Sequence, residues 1–245
     1  MSTLLISDLH LEDARPDITR AFFSLLEQFE NNVGRLFILG DFFEIWLGDD
    51  ALTEIAQQVA VRLRQFSEAG SDVYIMHGNR DFLLGQDYAQ RCGASLISDP
   101  FETVIAGQRC LLMHGDTLCT DDKLYMDFRK MVRNPDWQKS FLKKTIEERI
   151  AFGRQARNQS QEDAKDKTYE ILDVNQEAVM DTFQKHEVPL LIHGHTHRPD
   201  RHLIKIEDQN VERIVLGDWN NTGWYLIADE SDLALKSFDF PQQSS

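Results

Sequence analysis

The chain has 245 residues, 42% hydrophobic and 27% charged, the balance of an ordinary folded domain with room for one insertion. A formal net charge of −15 argues against nucleic acid as a partner, because counterion release rewards basic surfaces. Three cysteines, Cys92, Cys110 and Cys119, lack metal-binding spacing and predict free thiols rather than a disulfide framework. The start "MSTLLISDLHL" carries no basic signal-peptide region, and no stretch approaches the roughly 18 apolar residues of a membrane span. The expectation is a cytoplasmic chain, or one held at a membrane surface from that side.

In chain order, the runs "TLLIS", "RLFILG", "DVYIM" and "RCLLMHG" predict buried strands, continuous in branched apolar residues and stopped by Gly or Asp. Between them, Phe22, Leu25, Leu26 and Phe29 recur at helical spacing, as do Leu52, Ile55, Val59, Leu63 and Phe66. Alternating strands and helices predict a mainly parallel α/β sheet. Residues 120 to 185 break the alternation and predict a helical insertion, with an N-cap near Asp136 and breakers at Pro135 and Gly153. "VPLLIHGHTHRP" returns to strand character, and "RIVLG", "GWYLIAD" and "LALKSFDF" predict a second, more antiparallel sheet after residue 200.

Chemistry-bearing residues sit where the strands end: "SDLHL" (Asp8, His10), "LGDFFE" (Asp41), "HGNRD" (Asn79), "MHGD" (His114) and "HGHTH" (His195, His197). Ligands of open α/β sheets bind beyond the carboxyl ends of strands, so these loops are expected to converge. In extended backbone, residues i and i+2 project to one side, which lets Asp8 with His10, and His195 with His197, face one site. Two carboxylates, one amide oxygen and four imidazoles suit Mn²⁺, Fe or Zn²⁺ better than Ca²⁺ or a structural zinc. So many ligands suffice for two ions sharing one carboxylate, and Asp41, alone at its strand end, is the expected bridge. Two ions roughly 3.5–4 Å apart can clamp a phosphorus centre during in-line displacement. His77 and His193 either support the ligands from behind or are packed polar residues; His186 and His202 are expected at the surface.

The ordered set D-x-H, G-D, G-N-R, H and G-H-T-H resembles the calcineurin-like metallophosphoesterase family. The resemblance implies a four-layer α/β (α+β) sandwich of two mixed sheets flanked by helices, here with a helical cap inserted at about 120–185. It implies two divalent ions, most readily Mn²⁺: one held by Asp8, His10, Asp41 and His197, the other by Asp41, Asn79, His114 and His195.

Most members of that pattern carry His after the Asn, a donor for an alkoxide leaving group. Here the position is Arg80, which cannot give up a proton at working pH. A leaving group that departs as an anion is then required, and a phosphate satisfies this, so Arg80 would hold phosphate oxygens. The competing role is a structural pair with Asp81.

From Arg129 to Arg157 there are nine Lys/Arg against three acids, interleaved with Trp137, Phe141, Leu142, Ile146 and Ile150; Met126, Phe128, Met131, Val132 and Phe152 add apolar bulk. Three roles fit: a basic amphipathic surface for an anionic bilayer, a hairpin packed on the core, or a cap whose inner face takes acyl chains. "ILGDFFEIWLGDD", "HGNRDFLLG", "MHGDTLCTDD", "ILDVN" and "LIHGHTHRP" together resemble the UDP-2,3-diacylglucosamine pyrophosphatases of lipid A biosynthesis, a family peripheral to the inner membrane on its cytoplasmic side. That resemblance implies an acylated UDP-sugar as substrate and water attack at the α-phosphorus, giving UMP and the diacylglucosamine 1-phosphate. It implies catalytic roles for Asp41, Asn79, Arg80, His114 and His195. Substrate contacts would come from Asn79, Arg80, Asp122, Ser160, Lys167 and His195, and from Ala164 only through its backbone, where the family can carry Asn. "LGDWNNTGW" offers Trp219 either to the pocket or to the core. A soluble nucleotide pyrophosphatase or cyclic-nucleotide phosphodiesterase on the same fold, and a non-catalytic scaffold, are the alternatives. Nothing in the sequence predicts a protein partner.

Overall fold

A computed structural model describes residues 2–165, 171, 173–230 and 232–241; for 160, 161 and 163–165 it describes the helical backbone alone. The first sheet has the order β11 (Leu233–Asp239), β10 (Thr222–Ala228), β1 (Ser2–Ile6), β2 (Val33–Leu39), β3 (Asp72–Met76) and β4 (Ala94–Ile97). β1 to β4 run parallel, and β10 and β11 extend the β1 edge antiparallel. The second sheet has the order β5 (Phe101–Ile105), β6 (Gln108–Met113), β7 (Leu190–His193), β9 (Gln209–Val215) and β8 (Asp200–Ile206). Its centre, β6, β7 and β9, is parallel; β5 and β8 are antiparallel edges.

This corrects one expectation. The strand "RCLLMHG" lies in the second sheet, and the strands after residue 200 divide between the two. A parallel strand buried on both faces has the same apolar composition in either sheet, so its partners cannot be told from its own residues.

Side-chain alternation builds the layers. Leu5, Phe37 and Leu39 point between the sheets and meet Leu112, Ile192 and Ile214. Their neighbours Leu4, Leu36 and Ile38 point outward to α1 (Pro16–Phe29), α2 (Glu54–Glu68) and α3 (Gln86–Arg91), which supply Phe22, Leu25, Val59, Leu63, Phe66 and Tyr88. α1 begins with Pro16 in its first turn, where the missing N–H costs nothing, and Thr53 caps α2 by accepting from Ala56 N at 3.1 Å. Trp219 belongs to this outer core: it is 1% exposed, packs on Phe22 and Phe238, and does not reach the cavity described below.

The helical stretch holds α4 (Lys123–Val132), α5 (Pro135–Phe141), α6 (Ile146–Lys165) and α7 (Gln176–His186). Of these, α7 buries Val179 and Phe183 against Leu111 and Leu191 and forms the outer layer on the second sheet. Pro135 stands at the break between α4 and α5, as expected, whereas Gly153 breaks no helix. Pro135 occupies the first turn of α5, capped by Asn134 rather than Asp136, and Gly153 lies inside α6. A Cβ at Gly153 would stand 2.5 Å from Ile45 Cδ1, so glycine there lets α6 approach the loop after β2. On α5, Trp137 and Phe141 stack at 4.8 Å, and Phe141 meets Phe152 of α6 at 5.1 Å.

Candidate metal centre and active site

Asp8 and His10 follow β1, Asp41 follows β2, Asn79 follows β3, His114 follows β6, and His195 and His197 follow β7. These strands are parallel within their sheets, so each sheet delivers its ligands from one edge. Contrary to the expectation from i, i+2 spacing, the backbone of the ligand pairs is not extended. Asp8, His10, Asp41, His195 and His197 have φ of 56, 50, 47, 67 and 56°, the left-handed region that side chains with a Cβ disfavour. Hydrogen bonds between the loops impose it: Asp8 N donates to Gly40 O at 3.1 Å, His10 N to Asp41 O at 2.9 Å, and Gly194 N to His114 O at 2.8 Å. Gly78 is needed for the same packing, since a Cβ there would lie 2.1 Å from Asp41 N.

The ligand atoms converge in two groups. Asp8, His10 and His197 form one, with His10 Nε2 and His197 Nε2 at 3.4 Å and His197 Nε2 at 3.5 Å from Asp8 Oδ1. Asp8, Asp41 and His114 form the other, beside Asn79 Oδ1, which lies 2.9 Å from both His114 Nε2 and His195 Nδ1. Asp41 spans them: Oδ2 lies 3.8 Å from His10 Nε2 and Oδ1 3.7 Å from His114 Nε2. Partners behind the ligands set their orientation. His114 Nδ1 lies 3.0 Å from Leu39 O, and His10 Nδ1 2.9 Å from Glu44 Oε2, which turns each Nε2 toward the centre.

These residues fit divalent cations. Asp8 Oδ1 is buried without a hydrogen-bond partner, although Oδ2 accepts from Ser7 Oγ at 2.6 Å and His195 N at 2.9 Å. Burial works against charge throughout, yet the Asp8 carboxyl is held well below its usual range by His197, His114 and His10. Burial would likewise depress His114, but Asp41, Asp116 and Asp8 push it up to about 9. The carboxylates around His114 favour a positive charge at this point, while burial pushes the Asp41 carboxyl up; a divalent cation would answer both. Burial and the His114 charge push His195 down to about 4, leaving a neutral imidazole suited to a metal.

His77 and His193 are packed polar residues. His77 Nε2 lies 2.6 Å from Leu84 O; His193 bridges Gly194 O at 2.8 Å and Arg213 at 3.1 Å, and burial, then Arg213, pushes it down to about 3. Arg80 does not pair with Asp81, whose carboxylate accepts from Gly78 N at 2.7 Å and Phe42 N at 2.8 Å. Instead Arg80 lies 3.4 Å from Glu44 and lines a cavity of about 720 Å³ between the metal loops and the cap. Asn79, Arg80 and His195 stand at its polar end, with Trp46, Phe82, Phe128, Phe141 and Phe152 along its walls. Asp122 lines it too, accepting from Tyr125 N at 3.1 Å to cap α4. The side chains of Ser160 and Ala164, and Lys167 altogether, lie outside the described residues.

Sequence reasoning missed Glu44, Trp46 and Tyr125, whose ring stacks on His195 at 6.0 Å. Glu44 and Trp46 stand in the apolar run just after Asp41, the available signal; Tyr125, in the charged stretch "DDKLYMDFRK", offers none. His186 is half-buried and pairs with Glu102 at 2.9 Å. All three cysteines are buried free thiols.

The chain belongs to the calcineurin-like phosphoesterase family, which it matches over residues 1–199, and it is a metal-dependent hydrolase of that class. It is 48% identical to the UDP-2,3-diacylglucosamine hydrolase of Cellvibrio japonicus over 98% of this chain and 100% of the relative. It is 46% identical to the enzyme of the same name from Hahella chejuensis, covering 96% of each chain. The Marinobacter nauticus enzyme of that name is 47% identical over 94% of this chain and 95% of its own.

Proposed function

We propose that the chain hydrolyses the pyrophosphate bond of UDP-2,3-diacylglucosamine, releasing UMP and 2,3-diacylglucosamine 1-phosphate for lipid A biosynthesis. The observation that carries this reading is the single cavity that joins an apolar, aromatic interior under the cap to Arg80 and the ligand cluster. Its volume of about 720 Å³ is in the range of pockets that enclose most of a ligand. Near full-length similarity to relatives bearing that name supports the same substrate.

Asp8, His10, Asp41 and His197 would hold one ion, and Asp41, Asn79, His114 and His195 the other, with Mn²⁺ the favoured metal. When bound, two such ions lower the pKa of an attacking water and neutralise charge on the phosphorus oxygens. Water adds to the α-phosphorus, the bond to the bridging oxygen breaks, and its electrons leave with the sugar 1-phosphate. Arg80 grips the phosphates with a forked, permanently charged group and delivers no proton. None is required, because the departing phosphate is stable as an anion. Asp122 and Tyr125 also line the cavity, and the Tyr125 ring lies 6.0 Å from that of His195.

The cap divides its positive charge between two tasks. Arg129 pairs with Asp116 at 2.7 Å, Arg133 donates to Gly78 O at 2.8 Å, Arg149 meets Asp50 at 2.6 Å and Arg157 meets Glu44 at 2.9 Å. These arginines dock the cap on the core. Lys130, Lys139, Lys143 and Lys144 are exposed beside Leu124, Met131, Leu142 and Ile146, which are 38–65% exposed. That mixed rim supports attachment to the anionic cytoplasmic face of the inner membrane, where a diacylated substrate resides. No helix among the described residues is long and apolar enough to cross a membrane.

Turnover of UDP-2,3-diacylglucosamine in ¹⁸O-water tests the chemistry. Label in UMP alone is the expected result; label in the sugar phosphate would place attack at the other phosphorus and overturn the reaction proposed.

A further inference from the structure

Glu44 is 9% exposed and stands three residues after Asp41, where three parts of the molecule meet. Its Oε2 lies 2.9 Å from His10 Nδ1 in the loop after β1. Its Oε1 lies 3.4 Å from Arg80 Nη1 in the loop after β3 and 2.9 Å from Arg157 Nη1 on α6 of the cap. The backbone fixes it in turn, because Glu44 N donates to Leu11 O at 3.2 Å.

We propose that Glu44 is a positioning residue that orients the His10 imidazole for one ion with one oxygen. With the other oxygen it gathers Arg80 and Arg157 into a paired guanidinium clamp for substrate phosphate. The chemistry of each half is separate. The Glu44 carboxylate meets Nδ1 as an ion pair at 2.9 Å rather than as an aligned hydrogen bond, and its charge favours the proton on that nitrogen, leaving the Nε2 lone pair for the metal. Two guanidinium groups beside one cavity repel each other, and a shared carboxylate oxygen offsets that repulsion while leaving the remaining N–H groups for an incoming phosphate. Arg157 comes from the cap and Arg80 from the core, so the same carboxylate ties cap position to the metal loops.

The inference rests on the dimetal reading above, and its test separates the two. Metal-free protein is titrated with Mn²⁺ by calorimetry, and KM for the diacylated substrate is measured on the metal-loaded enzyme. Glu44→Ala is expected to lower Mn²⁺ affinity about 10–100-fold and also to raise KM. Arg157→Ala is expected to keep wild-type Mn²⁺ affinity while raising KM. Glu44→Gln has one acceptor oxygen instead of two, so it is expected to keep one function and lose the other. Because Gln fills the same volume, it guards against a fold lost in the alanine variant. Wild-type Mn²⁺ affinity in Glu44→Ala, or a Glu44→Gln variant matching wild type in both affinity and KM, overturns the inference alone. Wild-type protein that binds no Mn²⁺ overturns the dimetal reading itself.

Discussion

At the metal end of the cavity, Asp8 and His114 are fully buried, and five ligands sit in left-handed backbone locked by loop-to-loop hydrogen bonds. At the cap end, helices are docked by arginine contacts such as Arg149 to Asp50 and by stacked rings such as Trp137 on Phe141, while their outer faces stay exposed. The first end is tied through backbone hydrogen bonds between loops; the second is joined through side-chain contacts. Under the proposed function, the strained, over-determined end would carry the reaction and the apolar wall under the cap would choose the substrate.

Substitutions at the metal end should have the largest effect. Asp41→Ala and His114→Ala should each lower kcat by at least about 10³-fold with the circular dichroism spectrum retained, since metal stabilisation supplies several kcal/mol. Arg80→Ala should lower kcat by about 10²–10³-fold, and Arg80→Lys should recover only part of it, because a point charge lacks the guanidinium fork.

The metal end should also respond to pH in a way the cap does not. Metal-free His114 carries a proton up to about 9, and that proton must leave before Nε2 can bind an ion. Apparent Mn²⁺ affinity should therefore rise by up to about tenfold per pH unit toward 9 and level off above it. Affinity that is flat between pH 7 and 9 would contradict the assigned charge state. The smallest effect belongs to the cap: Phe128→Ala, which thins the cavity wall, should raise KM for the diacylated substrate about tenfold and leave kcat and Mn²⁺ affinity unchanged.

The candidate ligands were legible because each follows an apolar strand, a coincidence of chemistry and pattern repeated along the chain. The reason they converge was not, since alternation along an extended strand gives no hint that Asp8, His10 and His197 turn left-handed. Sheet membership was also hidden: the residues of β6 specify burial on both faces but not its pairing with β7. In the cap, charge was visible and its direction was not. Arg149 is 2% exposed against Asp50 while Lys143 and Lys144 face solvent, and only tertiary contacts sort one from the other. Gly153 shows the same limit, because a glycine that ends a helix and one that admits a neighbour are identical in sequence.

Under the proposed function, the cap selects an acylated substrate for a metal end indifferent to it. This selection is tested by comparing kcat/KM for UDP-2,3-diacylglucosamine with that for UDP-glucose on the Mn²⁺-loaded enzyme. Burial of even a handful of methylenes at about 0.8 kcal/mol each predicts a preference of at least about 10³-fold for the diacylated substrate. Equal values for the two substrates would contradict it.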